Sequence, residues 1–171
     1  AITYKEVFNL LKNDKMWLGN GFKSGNAYFS SPVSNDYADG VFDKETGLVK
    51  FRNCCWYTSI DHGKRHQPMA LMTYEDNLKF SKHKEIKEKG YQEYDNYNAI
   101  EVSFTDAIPS NYDGVMGVPI SFLDKYSPEQ FEIVGSDTDV KDGKLPELVK
   151  PNWNGKIDRG YVKGNRIYSR I

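Results

Sequence analysis

The feature that most constrains this chain is where its helical periodicity stops. Thr3 and Glu6 have the spacing of a capping box, and Tyr4, Val7, Phe8, Leu10 and Leu11 then recur on one helical face until Lys12-Asn13-Asp14-Lys15. A helix with that much apolar surface needs an element to pack against. The expectation is a chain that begins mid-domain, with an upstream half that once covered Val7, Phe8, Leu10 and Leu11. Without that half, self-association through these side chains is expected.

Beyond this helix the apolar runs are short and separated by turn residues, the pattern of strands and loops. Val41-Phe42 and Leu48 to Phe51 flank Asp43 to Gly47 as a hairpin, and Asn53 to Ile60 reads as a strand with Trp56 and Ile60 on one face. Met69 to Tyr74, Asn98 to Phe104 and Phe131 to Val134 read as further strands. Lys79 to Lys89 suits a helix, and Ile120 to Tyr126 a short helix stopped before Pro128. Ser136 to Pro151 reads as a polar connection, followed by a terminal hairpin that turns at Gly164-Asn165. The fold class expected is α+β, a mixed and mostly antiparallel sheet with a few short helices. No repeat or linker divides the 171 residues, so a single domain is expected.

Composition narrows the function. An aromatic share of 14% argues against disorder. Net charge is −1, so the whole molecule exerts no long-range pull on a polyanion. Residues 1 to 90 are net +3, residues 91 to 139 net −9 and residues 140 to 171 net +5, so any contact with nucleic acid must be local. The two cysteines are neighbours, Cys54 and Cys55, which gives no disulfide framework and fits a reducing, cytoplasmic setting. Apolar runs are too short to span a membrane.

The densest polar cluster is CCWYTSIDHGKRH, Cys54 to His66. Adjacent cysteines rarely reach one tetrahedral ion and no second pair completes a zinc set, so none is expected. A Cys-His nucleophile needs a geometry that proximity in sequence does not supply, and buried strand residues are the plainer reading of Cys54 and Cys55. The loop itself is richer. His62, Lys64, Arg65 and His66 surround Gly63 as donors suited to phosphate oxygens, and Trp56 and Tyr57 stand next to them as stacking surfaces. A solvated basic turn is the competing reading. Asp137 and Asp139 read as turn formers, Gly114 and Gly117 as no phosphate loop, and Tyr91, Tyr94 and Tyr97 as packing residues. The residues by themselves reach a mixed α/β domain with a candidate nucleic-acid loop.

Six ordered segments go further: ITYKEVFNLLK (Ile2 to Lys12), MWLG (Met16 to Gly19), CWYTSIDHGKRH (Cys55 to His66), YDNYNAIEVS (Tyr94 to Ser103), YDGVMGVPISFLDKYSPEQFEIVG (Tyr112 to Gly135) and GNRIYSRI (Gly164 to Ile171). Together they resemble the C-terminal half of EcoRI-type adenine-specific DNA methyltransferases, the modification partners of restriction-modification systems. The resemblance implies methyl transfer from S-adenosylmethionine to adenine N6 in duplex DNA, on a base flipped out of the stack. The family's Asn/Asp-Pro-Pro-aromatic motif would hold that base, yet this sequence contains no Pro-Pro and no strand leading to a glycine-rich cofactor turn.

The resemblance therefore implies a chain without catalytic or cofactor-binding residues of its own, which alone would be inactive and would not bind S-adenosylmethionine. Residues 1 to 19 would be the remnant of a class I methyltransferase core and residues 20 to 171 the family-specific region that grips DNA. Its partners would be duplex DNA and the missing N-terminal half. His62, Lys64, Arg65, His66, Trp56 and Tyr57 are the expected DNA contacts. A stand-alone nucleic-acid- or protein-binding module is the alternative.

Overall fold

A computed structural model describes residues 5–19, 26–31, 37, 40–52 and 55–171. Among these, helix α1 (Lys5–Lys12) carries Glu6 in its first turn and Lys12 in its last, each charge placed to favour the helix dipole. The expected cap at Thr3 lies outside the described residues, as do Tyr4, Asn53 and Cys54. Phe8 and Leu11, both 4% exposed, enter the main core, and Val7 packs against it. Only Leu10 of the four stays exposed, so the helix finds most of its cover within this chain.

The order then runs β1 (Trp17–Leu18), β2 (Asn26–Ser30), β3 (Phe42–Asp43), β4 (Leu48–Arg52) and β5 (Tyr57–Thr58). Strand β1 pairs antiparallel with β5, while β2, β4 and β3 form a separate antiparallel sheet in that spatial order. The β3–β4 hairpin lies where the sequence places it: the Asp43 carboxylate accepts the Glu45 amide at 2.9 Å, and Gly47 supplies the left-handed residue, φ +69°. Of the strand expected over Asn53 to Ile60, the described residues 55–60 form only Tyr57–Thr58, with Trp56 and Ile60 both exposed.

Helices α2 (Tyr74–Phe80) and α3 (Lys84–Lys89) replace the single helix read over Lys79 to Lys89. Thr73 caps α2 by accepting the Asp76 amide at 3.1 Å, so Met69 to Tyr74 is not a strand but an extended approach to a helix. Strand β6 (Gln92–Glu93) pairs antiparallel with β7 (Ile100–Glu101), and β8 (Met116–Gly117) runs parallel to β7. Ile120–Asp124 is a 3₁₀ helix, as the stop before Pro128 suggests. Phe131 to Val134 forms no strand, although Ile133 is buried. Helix α4 (Asp137–Lys141) occupies the expected connection: Ser136 and Asp139 exchange side-chain and backbone bonds as a capping box.

Strands β9 (Tyr161–Val162) and β10 (Asn165–Arg166) form the terminal hairpin, with its turn one residue earlier than expected, at Lys163-Gly164. Both turn residues have positive φ, and the Asp95 carboxylate accepts both of their amides. The fold is thus α+β with mostly antiparallel pairing.

Two cores fill it. The main one joins α1 and β1 to Ile86, Ile100, Val102, Val118 and Phe122. The second gathers Tyr94, Tyr97, Val140 and Leu145. The C-terminus stitches them together. Val118 and Ile171 exchange backbone hydrogen bonds at 2.9 and 3.0 Å, and the Arg170 guanidinium meets the buried Glu101 carboxylate at 2.6 Å. The Tyr94 hydroxyl donates to that same carboxylate, and the Asp137 carboxylate accepts the Arg170 amide at 2.6 Å. Tyr91, Tyr94 and Tyr97 are all buried, as packing residues should be.

Candidate nucleic-acid interface

The loop that follows β5 is held by its own sequence and by two distant segments. Gly63–His66 forms a 3₁₀ turn, started by the Arg65 amide bonding to the His62 carbonyl at 3.0 Å. A flexible basic turn is therefore not what forms. Arg65 folds inward, and its side chain is 10% exposed. Its guanidinium lies 2.9 Å from Asp14, 3.6 Å from Asp61 and 3.9 Å from the centroid of the Trp17 ring. A planar cation suits this place because it stacks and forks at once. Asp14 is positioned by the stop of α1, where it adopts a left-handed conformation, φ +53°, that Asp tolerates better than most residues. The Tyr126 hydroxyl reaches the same carboxylate at 3.3 Å, and burial pushes its pKa up to about 12.

His66 bridges the other side. Its Nδ1 meets Glu129 and its Nε2 meets Asp61 at 2.7 Å, while the Ser127 hydroxyl donates to Glu129 at 2.8 Å. The hydrogen bond to Glu129, and then the one to Asp61, favours the imidazolium and raises the His66 pKa. In return His66 holds Glu129 down to about 2 and Asp61 below its ordinary value. The loop is consequently a latch across 63 residues of sequence. Asp14 and Glu129 are the partners that sequence reasoning missed, because nothing near them in the chain marks them.

The six expected contacts thus divide. Lys64 is exposed, and Trp56 is 57% exposed with its ring edge-on to Phe29 at 6.3 Å. Tyr57 packs against the main core with its hydroxyl buried, and His62 is half-buried with Nε2 3.3 Å from the Leu18 carbonyl. Arg65 and His66 are engaged by carboxylates. Cys55 is half-buried against the main core and is a free thiol.

No group of three or more His, Cys, Asp or Glu side chains among the described residues is arranged to hold a metal ion. A cleft of about 330 Å³ is lined by Tyr94, Tyr97, Met116, Ile133, Asp137 and Arg170 among others. It does not fit S-adenosylmethionine. Arg170 and Asp137 are already committed to Glu101 and to the Arg170 amide, and among the described residues no strand, glycine turn and helix unit borders it. No described helix is long and apolar enough to cross a membrane.

Comparison with known proteins places the whole chain. The family described as Adenine-specific methyltransferase EcoRI matches residues 1–171. The chain is 40% identical over 156 residues to the type II methyltransferase M.EcoRI of Escherichia coli, an alignment covering 85% of this chain and 45% of that protein. It is 31% identical to a type II methyltransferase of Mycoplasma genitalium and 29% identical to the type II methyltransferase M.MpnI of Mycoplasma pneumoniae. Those alignments cover all of this chain and 53% and 52% of the relatives, so the chain spans about half the length of the curated relatives it matches. No solved structure matches it significantly.

Proposed function

This chain belongs to the EcoRI adenine-specific methyltransferase family, and from that premise we propose that it is the DNA-gripping part of an adenine-N6 methyltransferase of a restriction-modification system. The observation that carries the reading is the family match over all 171 residues, in a sequence with no Pro-Pro pair to hold a flipped adenine. In this reading the methyl group comes from S-adenosylmethionine bound by residues outside this chain. The described residues supply grip and position.

Lys64 in the loop and Trp56, just before β5, are the side chains that meet DNA in this reading. A lysine ammonium serves phosphate oxygens as a point charge, and an exposed indole offers an apolar surface to a sugar or a base. Arg65 and His66, with His62 and Tyr57 behind them, fix the angle at which those two project. Arg65 and His66 then affect DNA binding as positioning residues, through Asp14, Asp61 and Glu129.

Fluorescence anisotropy of a labelled duplex, titrated with the chain at two salt concentrations, tests the reading. Saturable binding that weakens steeply with salt is expected, together with no methyl transfer from added S-adenosylmethionine. Absence of binding at about 50 mM salt contradicts a DNA-gripping role. Methyl transfer by the chain alone contradicts the division of labour.

A further inference from the structure

The last stretch of the chain concentrates positive charge. Residues 150–171 hold six basic side chains and one acidic one, Asp158, in a protein of net charge −1. Three of the six are engaged within the fold: Lys150 donates to the Tyr94 carbonyl, Arg159 to the Asp158 carbonyl at 2.7 Å, and Arg170 is paired with buried Glu101. Lys156, Lys163 and Arg166 stay exposed. Arg166 meets the Asp158 carboxylate at 2.8 Å, yet its side chain remains 54% exposed.

The β9–β10 hairpin turns these three cations, and one aromatic ring, outward. Directly opposed residues share a face, so Val162 lies with Asn165 on one side and Tyr161 with Arg166 on the other. Val162 and Ile167 pack against the second core, which leaves Arg166 and Tyr168, the neighbours of Ile167, on the outside. Tyr168 is 87% exposed. The Trp153 ring packs on Tyr161 with centroids 5.6 Å apart, and its indole donates to the Lys156 carbonyl at 3.0 Å, so the loop that carries Lys156 is tied to the Tyr161 side of the hairpin. The tip is fixed from below. Asp95 accepts the Lys163 and Gly164 amides at 3.1 and 2.8 Å, and fully buried Asn96 accepts the Tyr161 amide and donates to the Arg159 carbonyl.

We propose that this hairpin face is a second duplex-DNA contact, with Lys156, Lys163 and Arg166 on phosphate oxygens and the Tyr168 hydroxyl donating to another. The proposal rests on the DNA-gripping reading above. Lysine, arginine and tyrosine side chains are phosphate donors, and held on one braced surface they set the register of a protein on the duplex. Residues 91–139, net −9, turn a polyanion away, so within the body the charge favours this end. The 61–66 loop differs in kind, since its Arg65 and His66 are matched by Asp14, Asp61 and Glu129, whereas the Asp95 carboxylate beneath the hairpin tip is occupied by two amides.

The test uses the 171-residue chain and a labelled duplex of about two helical turns. Lys156→Gln/Lys163→Gln keeps the backbone bonds that Trp153, Asp95 and Asn165 make at these positions. It is expected to bind about tenfold more weakly near 0.1 M salt and to lose about 1.8 from the slope of log affinity against log salt, 0.9 for each phosphate contact. A charge-matched control on α3, Lys84→Gln/Lys87→Gln, should stay within about twofold of the parent. Lysine acetylation of the parent chain gives a readout independent of any variant's folding: Lys156 and Lys163 should be protected by duplex several-fold, and Lys84 and Lys87 not. Binding by the parent with Lys156 and Lys163 unprotected, or with the hairpin variant unchanged, overturns the hairpin contact alone. Equal losses in variant and control reduce it to net charge and overturn it too. Failure of the parent to bind any duplex removes both this contact and the reading it rests on.

Discussion

The β2–β4–β3 sheet and the body formed by residues 91–171 treat their polar and aromatic side chains in opposite ways. In the body, Tyr94 and Tyr97 are buried, Glu101 and Arg170 are paired at 2.6 Å with little exposure, and Asn96 is fully buried while bonding to Arg159 and Tyr161. In the sheet, Tyr28, Phe42 and Phe51 stay 43 to 51% exposed. Side chains that a fold turns inward and satisfies are spent on stability; those it holds outward on a short, stiff ribbon are available to a partner. The difference leaves the body as the part that holds the shape, while the sheet keeps large side chains at its surface.

Substitutions sharpen this contrast. The largest loss should come from Glu101→Ala, which leaves Arg170 as an uncompensated, largely buried cation; about 3–5 kcal/mol is expected in urea unfolding. Replacing both partners, Glu101→Met with Arg170→Met, should recover much of that loss. By contrast Lys50→Gln, which removes an ammonium 5.8 Å from the Tyr28 ring centroid, should cost less than about 1 kcal/mol. Comparable losses at the two places would break the contrast.

Gly117→Ala comes next. A Cβ there runs into the Tyr94 ring, which is 2% exposed and held by Glu101, so about 1–3 kcal/mol of overpacking cost is expected from thermal melting. Trp56→Ala removes one edge-to-face contact from a residue 57% exposed and should cost about 1 kcal/mol, while weakening DNA binding more visibly than stability.

The smallest effect is that of the latch on pH. The folded His66 pKa is raised above 6.5, so its contribution is full below about pH 6.5 and fades as pH rises through the folded value. Glu129, held to about 2 against an ordinary 4.5, contributes above pH 4.5 and loses its share as pH falls towards 2. Parent and His66→Gln should therefore differ most in melting temperature between about pH 4.5 and 6.5 and converge once the pH has passed the raised folded pKa of His66. A constant difference from pH 5 to 9 would show that His66 acts by packing.

Elements closed by local chemistry were legible in the sequence. Asp43 and Gly47 fix one hairpin, Gly164 nearly fixes the other, and the stripe of α1 announced Phe8 and Leu11. Illegible elements had their cause elsewhere. Phe131 to Val134 is as apolar as a strand but has no neighbouring ladder, and Met69 to Tyr74 yields to the Thr73 cap. Helix α4 did carry a signal, Ser136 three residues before Asp139, written with Asp in place of the usual Glu. In the candidate interface the residue types were visible and their directions were not. Whether Arg65 faces outward depends on Asp14, 51 residues away, and on the Trp17 ring. The approach of Lys50 to Tyr28 was equally hidden, since only the register across the sheet puts them side by side.

Hydrogen exchange of the 171-residue chain, followed by mass spectrometry with and without duplex DNA, tests the central claim most directly. The account predicts added protection in residues 56–66, with residues 91–149 unchanged. Protection confined to residues 91–149, with residues 56–66 exchanging as they do without DNA, would contradict it.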